Sequence, residues 1–192
     1  SVQFSGDQAL SLSGTAELRV FDPANGLEFV QLGGVFSFTK TRDGKDVSQL
    51  EIGATGVEAF FGVGPARING QLNPQAFGIA LENGKLGLVI KESSKSSYAL
   101  DASGDLLLLG LDGLQMKGSV FVRVNRTGGA VSEKVTTPNP NFDPSQPTSA
   151  ANSENREVTV EFTETDDVPL IGADLTLNVA DVLVITGTVN LE

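Results

Sequence analysis

The sequence contains no cysteine, no histidine and no tryptophan, and only one tyrosine (Tyr98) and one methionine (Met116). Without cysteine there is no disulfide framework, no thiolate nucleophile and no zinc–sulfur site. Without histidine there is no Ser-His-Asp or Cys-His relay and no imidazole metal site. With no Trp and one Tyr, the chain has little from which to build the aromatic platforms on which glycosidases hold sugars. A phosphate loop is also missing. Gly44-Lys45 and Gly84-Lys85 lack the preceding Gly-x-x-x-x and are expected at solvated hairpin corners. Long hydrophobic runs are absent too: Leu106-Leu-Leu-Leu-Gly-Leu111 falls far short of the roughly 20 residues of a membrane-spanning helix. Ser1 begins in what reads as a strand and no signal peptide is visible, so a mature fragment or a piece of a longer chain is expected.

What is present is small, branched and acidic. The 192 residues include 22 Gly and 11 Phe among many Val, Leu and Ile, a composition that suits pleated surfaces with frequent tight turns. Acidic residues outnumber basic ones 24 to 13, giving a net charge of -11. Such a surface repels nucleic acid and anionic lipid, both of which recruit partners through Lys and Arg. Neither nucleic acid nor membrane insertion is therefore expected. The excess of carboxylates serves solubility, or else divalent-cation binding.

Apolar residues recur with period two. The sets are Leu10, Leu12, Ala16, Leu18 and Val20; then Tyr98, Leu100, Ala102, Leu106, Leu108, Leu114, Met116, Val120, Val122 and Val124; then Leu175, Leu177, Val179, Leu183, Ile185, Val189 and Leu191. Side chains alternate across a strand, so each set is expected to line one buried face. Further strands are expected at 35–41, 50–53, 57–63, 78–81, 87–91 and 158–163, with helix a minor component. Asp43-Gly44 and Asn83-Gly84 predict hairpin corners, because Asp-Gly and Asn-Gly take up positive φ readily. Residues 127–157 carry Pro138, Pro140, Pro144 and Pro147 and read as a Pro/Ser/Thr/Asn-rich surface loop. The domain reading is thus a β-rich repeat region over 1–126, the loop over 127–157, and strands over 158–192 that complete the same β domain.

A module repeats loosely. Gly14-Thr-Ala-Glu-Leu-Arg-Val-Phe-Asp22 is matched by Gly104-Asp-Leu-Leu-Leu-Leu-Gly-Leu-Asp112 and by Gly172-Ala-Asp-Leu-Thr-Leu-Asn-Val-Ala-Asp181. Each precedes a second Gly-led strand, at Gly34, Gly118 and Gly187. Asp22, Asp112 and Asp181 close the modules at matching points. If the modules stack, these carboxylates line up where Ca²⁺ takes oxygen ligands from loops; alternatively each makes an Asx-turn with its own backbone. Asp166 and Asp167 form the densest remaining cation candidate. Paired carboxylates for hydrolysis reduce to Glu157, Glu161, Glu164, Asp166 and Asp167, which read as the solvent face of a strand. No catalytic residue is assigned, and no cofactor other than Ca²⁺ is entertained. Asn125-Arg126-Thr127 matches a glycosylation sequon at an accessible junction of strand and loop.

The runs Gly56-Val-Glu-Ala-Phe-Phe-Gly-Val-Gly64, Gly87-Leu-Val-Ile90, Tyr98-Ala-Leu-Asp-Ala-Ser-Gly104 and Gly118-Ser-Val-Phe-Val-Arg-Val-Asn125 resemble the long tandem repeats of very large bacterial extracellular proteins, often labelled adhesin-like or calcium-binding. The resemblance implies an exported, β-rich, repetitive architecture and carries over no catalytic residue. The chain also lacks the nonapeptide calcium motif. The expected fold is all-β: an elongated repeat, as a β-solenoid or stacked hairpins, with a two-sheet β-sandwich as runner-up. The expected function is a non-catalytic structural repeat, a spacer or filament scaffold outside the cell, whose partners are neighbouring repeats or copies of itself end to end. The alternative is a module that binds a glycan or protein through the 127–157 loop or Ca²⁺-dependent Asp turns.

Overall fold

A computed structural model describes residues 8–21, 28–42, 48–73, 75–92, 97–149, 152–164 and 170–191. The chain is all-β, with no helix among the described residues. Its strands are β1 (Gln8–Phe21), β2 (Glu28–Arg42), β3 (Ser48–Val63), β4 (Arg67–Ile68), β5 (Gln71–Leu72), β6 (Phe77–Glu92), β7 (Ser97–Leu109), β8 (Leu114–Asn125), β9 (Val131–Pro138), β10 (Asn155–Phe162), β11 (Leu170–Val179) and β12 (Leu183–Leu191). Eight of them form one open antiparallel sheet in the order β1-β2-β3-β6-β7-β8-β11-β12. The two insertions that interrupt chain order make two-stranded ribbons, β4–β5 and β9–β10.

The strands are longer than their sequence signals. The segments 50–53 and 57–63 are one strand of 16 residues, as are 78–81 and 87–91. Asn83-Gly84 is accordingly not a hairpin corner but an irregularity inside β6. The β6–β7 register shifts between Glu82 and Lys85, Asn83 has φ 53°, and β3 shifts twice opposite it, around Val57. The dipeptide that permits a turn also permits a bulge, and flanking strands pairing on both sides make the bulge the outcome here. Gly56, with φ 59°, supplies the same freedom on β3. The Asp43-Gly44 corner lies outside the described residues, although Arg42 pairs with Ser48 as a β2–β3 hairpin requires.

The register puts the three apolar series on one common face of the sheet. Leu12 pairs with Phe38, Phe38 with Ile52, Ile52 with Leu88, and Leu88 with Leu100; Val120 pairs with Ala173 and Ala173 with Val189. The expectation that this face is buried is met only in part: Leu100, Leu106, Leu108, Met116, Val120 and Val122 are half-buried and Val124 is buried. Leu10, Leu12, Leu18, Phe38, Phe61, Ile79, Ile185 and Val189 are all exposed, Leu12 to 70%.

The core sits on the opposite face. Over the half of the sheet near the start of β3 and the end of β6, the β9–β10 ribbon packs Val131, Val135, Val160 and Phe162 onto Val89 and Ala99. Over the other half, residues 64–73 and 75–76 lie so that Ala66 and Ala76 meet Phe60 and Ala80, with Leu107 and Leu109 alongside. The 127–157 segment is therefore only in part a loop: it contains the whole of β9 and the start of β10, and this ribbon supplies much of the core. Alternating Val at 131 and 135, and at 158 and 160, gives each strand one buried face. The prolines lie at the end of β9 or beyond it, where no ladder bond is lost.

Two glycines set the height of the ribbon. A Cβ on Gly53 would lie 2.9 Å from a Val135 methyl, and one on Gly87 would lie 2.5 Å from a Val160 methyl. Gly87→Ala is therefore expected to lift β10 and lower stability by about 2 kcal/mol, the usual cost of overpacking. Gly14→Ala, with nothing within 4 Å, is expected to change it by less than about 0.5 kcal/mol. Urea unfolding of the two variants checks the contrast.

Candidate functional site

Five aspartates are candidate cation ligands. Asp22, Asp166 and Asp167 lie outside the described residues. Asp112 and Asp181 occupy the β7–β8 and β11–β12 turns, which the β8–β11 pairing brings to the same end of the sheet. The two turns touch, since the Ala180 N–H donates to the Gly113 carbonyl at 2.5 Å. Asp181 serves its own turn. Its Oδ1 accepts from Asn178 Nδ2 at 2.9 Å and its N–H donates to Asn178 Oδ1 at 3.1 Å, while Ala180 and Asp181 both have positive φ, 49° and 56°. Asp112 is exposed. Among the described residues, no group of three or more carboxylates is arranged to hold a metal ion.

The carboxylates on β10 face outward. Glu157 pairs with Lys134 at 2.9 Å, and the Lys134 pKa is raised by that hydrogen bond and charge. Glu161 and Glu164 are exposed. A different cluster of acids, which no linear pattern marks, lines a cleft of about 340 Å³ on the covered face of the sheet. It holds Glu17, Glu58, Glu82, Arg67 and Gln31, with Pro140 at its rim. Arg67, carried by β4, bonds Glu82, lies 3.8 Å from Glu58 and donates to the Gly70 carbonyl at 2.9 Å. The Glu17 pKa is lowered by hydrogen bonds from Arg19 and Gln31. Arg67, between Glu82 and Glu58, ties the β4–β5 insertion to the sheet.

The most constrained polar group is Asn125, fully buried. Its Nδ2 donates to the carbonyls of Gly129 at 2.8 Å and Glu164 at 2.5 Å, and its Oδ1 accepts from the Thr127 N–H at 3.0 Å and hydroxyl at 2.7 Å. One amide thereby joins the end of β8 to the chain entering β9 and the chain leaving β10. The sequon reading is corrected: the asparagine is not at an accessible junction, and an Asx-turn uses the same Asn-x-Thr pattern. Nearby, the Thr55 and Thr137 hydroxyls bond at 2.6 Å and Ser37 donates to the Thr136 carbonyl at 2.6 Å. Arg123 binds Asp101 at 2.8 Å and the Glu161 carbonyl at 2.6 Å, and lies 4.7 Å above the Phe162 ring. Periodicity could not flag these residues, because their partners are distant in sequence.

The loop beyond β9 is held by short polar side chains. Asn152 Nδ2 donates to the Asp143 carbonyl at 2.9 Å, Asn139 Nδ2 to the Ser153 carbonyl at 2.8 Å, and the Ser145 hydroxyl and N–H to Asp143 Oδ1 at 2.6 and 2.9 Å.

No protein family, curated protein or solved structure matches this chain. The class of protein is therefore set by its geometry: an open eight-stranded antiparallel sheet with one face covered by its own insertions.

Asn125→Ala leaves several buried groups without partners and is expected to cost about 3 kcal/mol, measured by urea unfolding. With the Asp181 carboxylate engaged in its turn, the thermal midpoint is expected to be the same in EDTA and in millimolar Ca²⁺; a rise of several degrees would make the Asp turns ligands. Asp143, its pKa lowered below the ordinary 3.8 by the Ser145 hydroxyl and then the Ser145 N–H, ties the loop when ionised. That tie is fully present above the ordinary value and lost as pH falls through the lowered one. Protection of the Ser145 amide against hydrogen exchange is expected to fall across that acid range, to be pH-independent in Asp143→Asn, whose amide oxygen still accepts, and to be low throughout in Asp143→Ala.

Proposed function

We propose that the chain is a non-catalytic structural repeat of a bacterial extracellular or surface protein, a spacer or filament scaffold whose exposed apolar face is an assembly surface. The observation that carries this reading is the uncovered face itself. It leaves Leu12, Leu18, Phe38, Phe61, Ile79 and Ile185, on β1, β2, β3, β6 and β12, in solvent. At about 4.8 Å between strands and 3.4 Å per residue, the five strands that carry them have a footprint of roughly 1,000 Å². A stable interface needs only about 800 Å² from each partner, and exposed apolar patches of this size mark association sites. A second copy of the chain is the partner of matching chemistry: two such faces packed about 10 Å apart make the two layers of a sandwich. The net charge of -11 disfavours anionic lipid in that role.

Within the sheet, a stacked-hairpin repeat accounts for the topology, because the three sequence modules coincide with three antiparallel hairpins; a solenoid would run its stacked strands parallel. The extracellular placement rests on the resemblance to tandem repeats of large exported bacterial proteins, which a composition free of cysteine fits without itself fixing a compartment.

A second reading is a glycan- or protein-binding module that uses the loop after β9. The network of Asn139, Asp143 and Asn152 favours it, since a preorganised loop binds with less ordering cost. Deleting 141–151 separates the two: a scaffold keeps its fold and assembly, whereas a binding module keeps its fold and loses ligand capture.

Light scattering over a hundredfold range of concentration tests the main reading. The chain is expected to associate as concentration rises, and Phe61→Lys combined with Ile79→Lys, on the inner strands β3 and β6, to remain monomeric with an unchanged fold. A wild-type chain that stays monomeric throughout overturns it, and partition into neutral vesicles instead would assign the face to lipid.

A further inference from the structure

The three modules are hairpins in one register. Ala16 pairs with Gly34 in β1–β2, Leu106 with Gly118 in β7–β8, and Leu175 with Gly187 in β11–β12. The neighbouring pairs agree: Gly14 with Phe36, Gly104 with Val120, and Ala173 with Val189. β1, β7 and β11 are thus equivalent first strands, and β2, β8 and β12 equivalent second strands. One junction between successive modules lies inside the chain, where the second strand β8 meets the first strand β11. There Gly118 pairs with Leu175, Met116 with Leu177, and Val120 with Ala173.

The two outer edges of the sheet present the same two kinds of strand. Among the described residues β1 is bonded only to β2, and β12 only to β11. Every pairing is antiparallel and the strands number eight, so a copy displaced sideways offers its β1 antiparallel to β12 with the apolar face on the same side. We propose that β12 of one copy adds to β1 of the next in the β8–β11 register, with Gly187 opposite Ala16, Ile185 opposite Leu18, and Val189 opposite Gly14. This rests on the structural-repeat reading and extends it by naming the edge, the partner strand and the alignment.

Three features fit this junction. At the internal one, Gly118 is crowded by its neighbour: a Cβ there would lie 2.8 Å from Leu175 Cδ2. The corresponding edge glycine, Gly187, has nothing within 4 Å and so has room for a strand alongside. β12 carries no charge and no proline, the devices by which edge strands ordinarily refuse partners. On the other face of the sheet the alignment sets Thr186 against Glu17 and Thr188 against Thr15, so no like charges meet. A contact between two different edges does not close on itself and builds a linear array.

The chain has no cysteine, so introduced thiols report cleanly. Full-length Leu18→Cys and full-length Ile185→Cys, mixed under a glutathione redox buffer, are expected to give a heterodimer several times more abundant than either homodimer. Val184→Cys, one residue out of register, is expected to give at least fivefold less. The double variant Leu18→Cys with Ile185→Cys should form a ladder of linked oligomers on a non-reducing gel. Both positions are at least half exposed, and a thermal midpoint within a few degrees of wild type confirms that the variants fold. A second pair, Gly14→Cys with Val189→Cys, repeats the test four residues along β12. Equal yield from positions 184 and 185, homodimers alone, or no cross-link in either pair overturns the proposal. The face is judged separately by the Phe61→Lys, Ile79→Lys chain, whose substitutions lie on β3 and β6, away from both edges. Association without a register-specific cross-link removes the edge junction and leaves the face; the cross-link in a chain whose association ignores the lysines removes the face and leaves the edge.

Discussion

The packing of one short ribbon on one face of a large sheet is the interaction on which the rest depends. A sheet of Val, Leu, Ala and Gly is stable only where something covers it, because aliphatic burial is its main source of stabilisation. In this chain β9–β10 covers one half of one face. It can approach because Gly53 and Gly87 have no side chains beneath it, and it is aligned by Thr55–Thr137, Ser37 and Asn125. These buried polar groups are all bonded, which fixes the ribbon in one position: a slip of one residue would strand each of them without a partner.

The sheet's length and shape follow from its irregular middle. Strands of up to 16 residues span about 53 Å, longer than most strands in globular proteins. Around Val57 and Asn83-Gly84 the ladder shifts register, and bulges of this kind increase local twist and bend the strand. The bulges separate the half of the sheet covered by β9–β10 from the half covered by residues 64–73 and 75–76, where Phe60 is the largest buried side chain. Each half has its own small core, and Arg67 with its two glutamates pins the second insertion much as Arg123 pins the first.

The two faces of the sheet differ in chemistry. On the covered face Thr55, Thr137, Ser37, Asn125 and Arg67 find partners within the chain. The other face leaves Leu12, Phe38, Phe61 and Ile185 in solvent, and it is on this contrast that the proposal of an assembly surface rests.

The residues alone determined a good deal. Period-two alternation identified the strand class, and its parity sorted the series from Leu10, Tyr98 and Leu175 each onto one face of its own strands; the pairing register then put the three on a common face. The Gly-led modules marked three hairpins before their pairing was known, because each module is local and needs only its own glycines and turn. Tertiary structure decided what the pattern leaves open. Which face is covered depends on an insertion some forty residues away in sequence from the strands it protects. Asn83-Gly84 became a bulge because β3 and β7 hold β6 on both sides. Asn125 became a buried tie because Gly129 and Glu164 converge on it. Alternation separates apolar from polar faces, but burial is a property of whatever arrives to cover them, and only the folded chain contains that information.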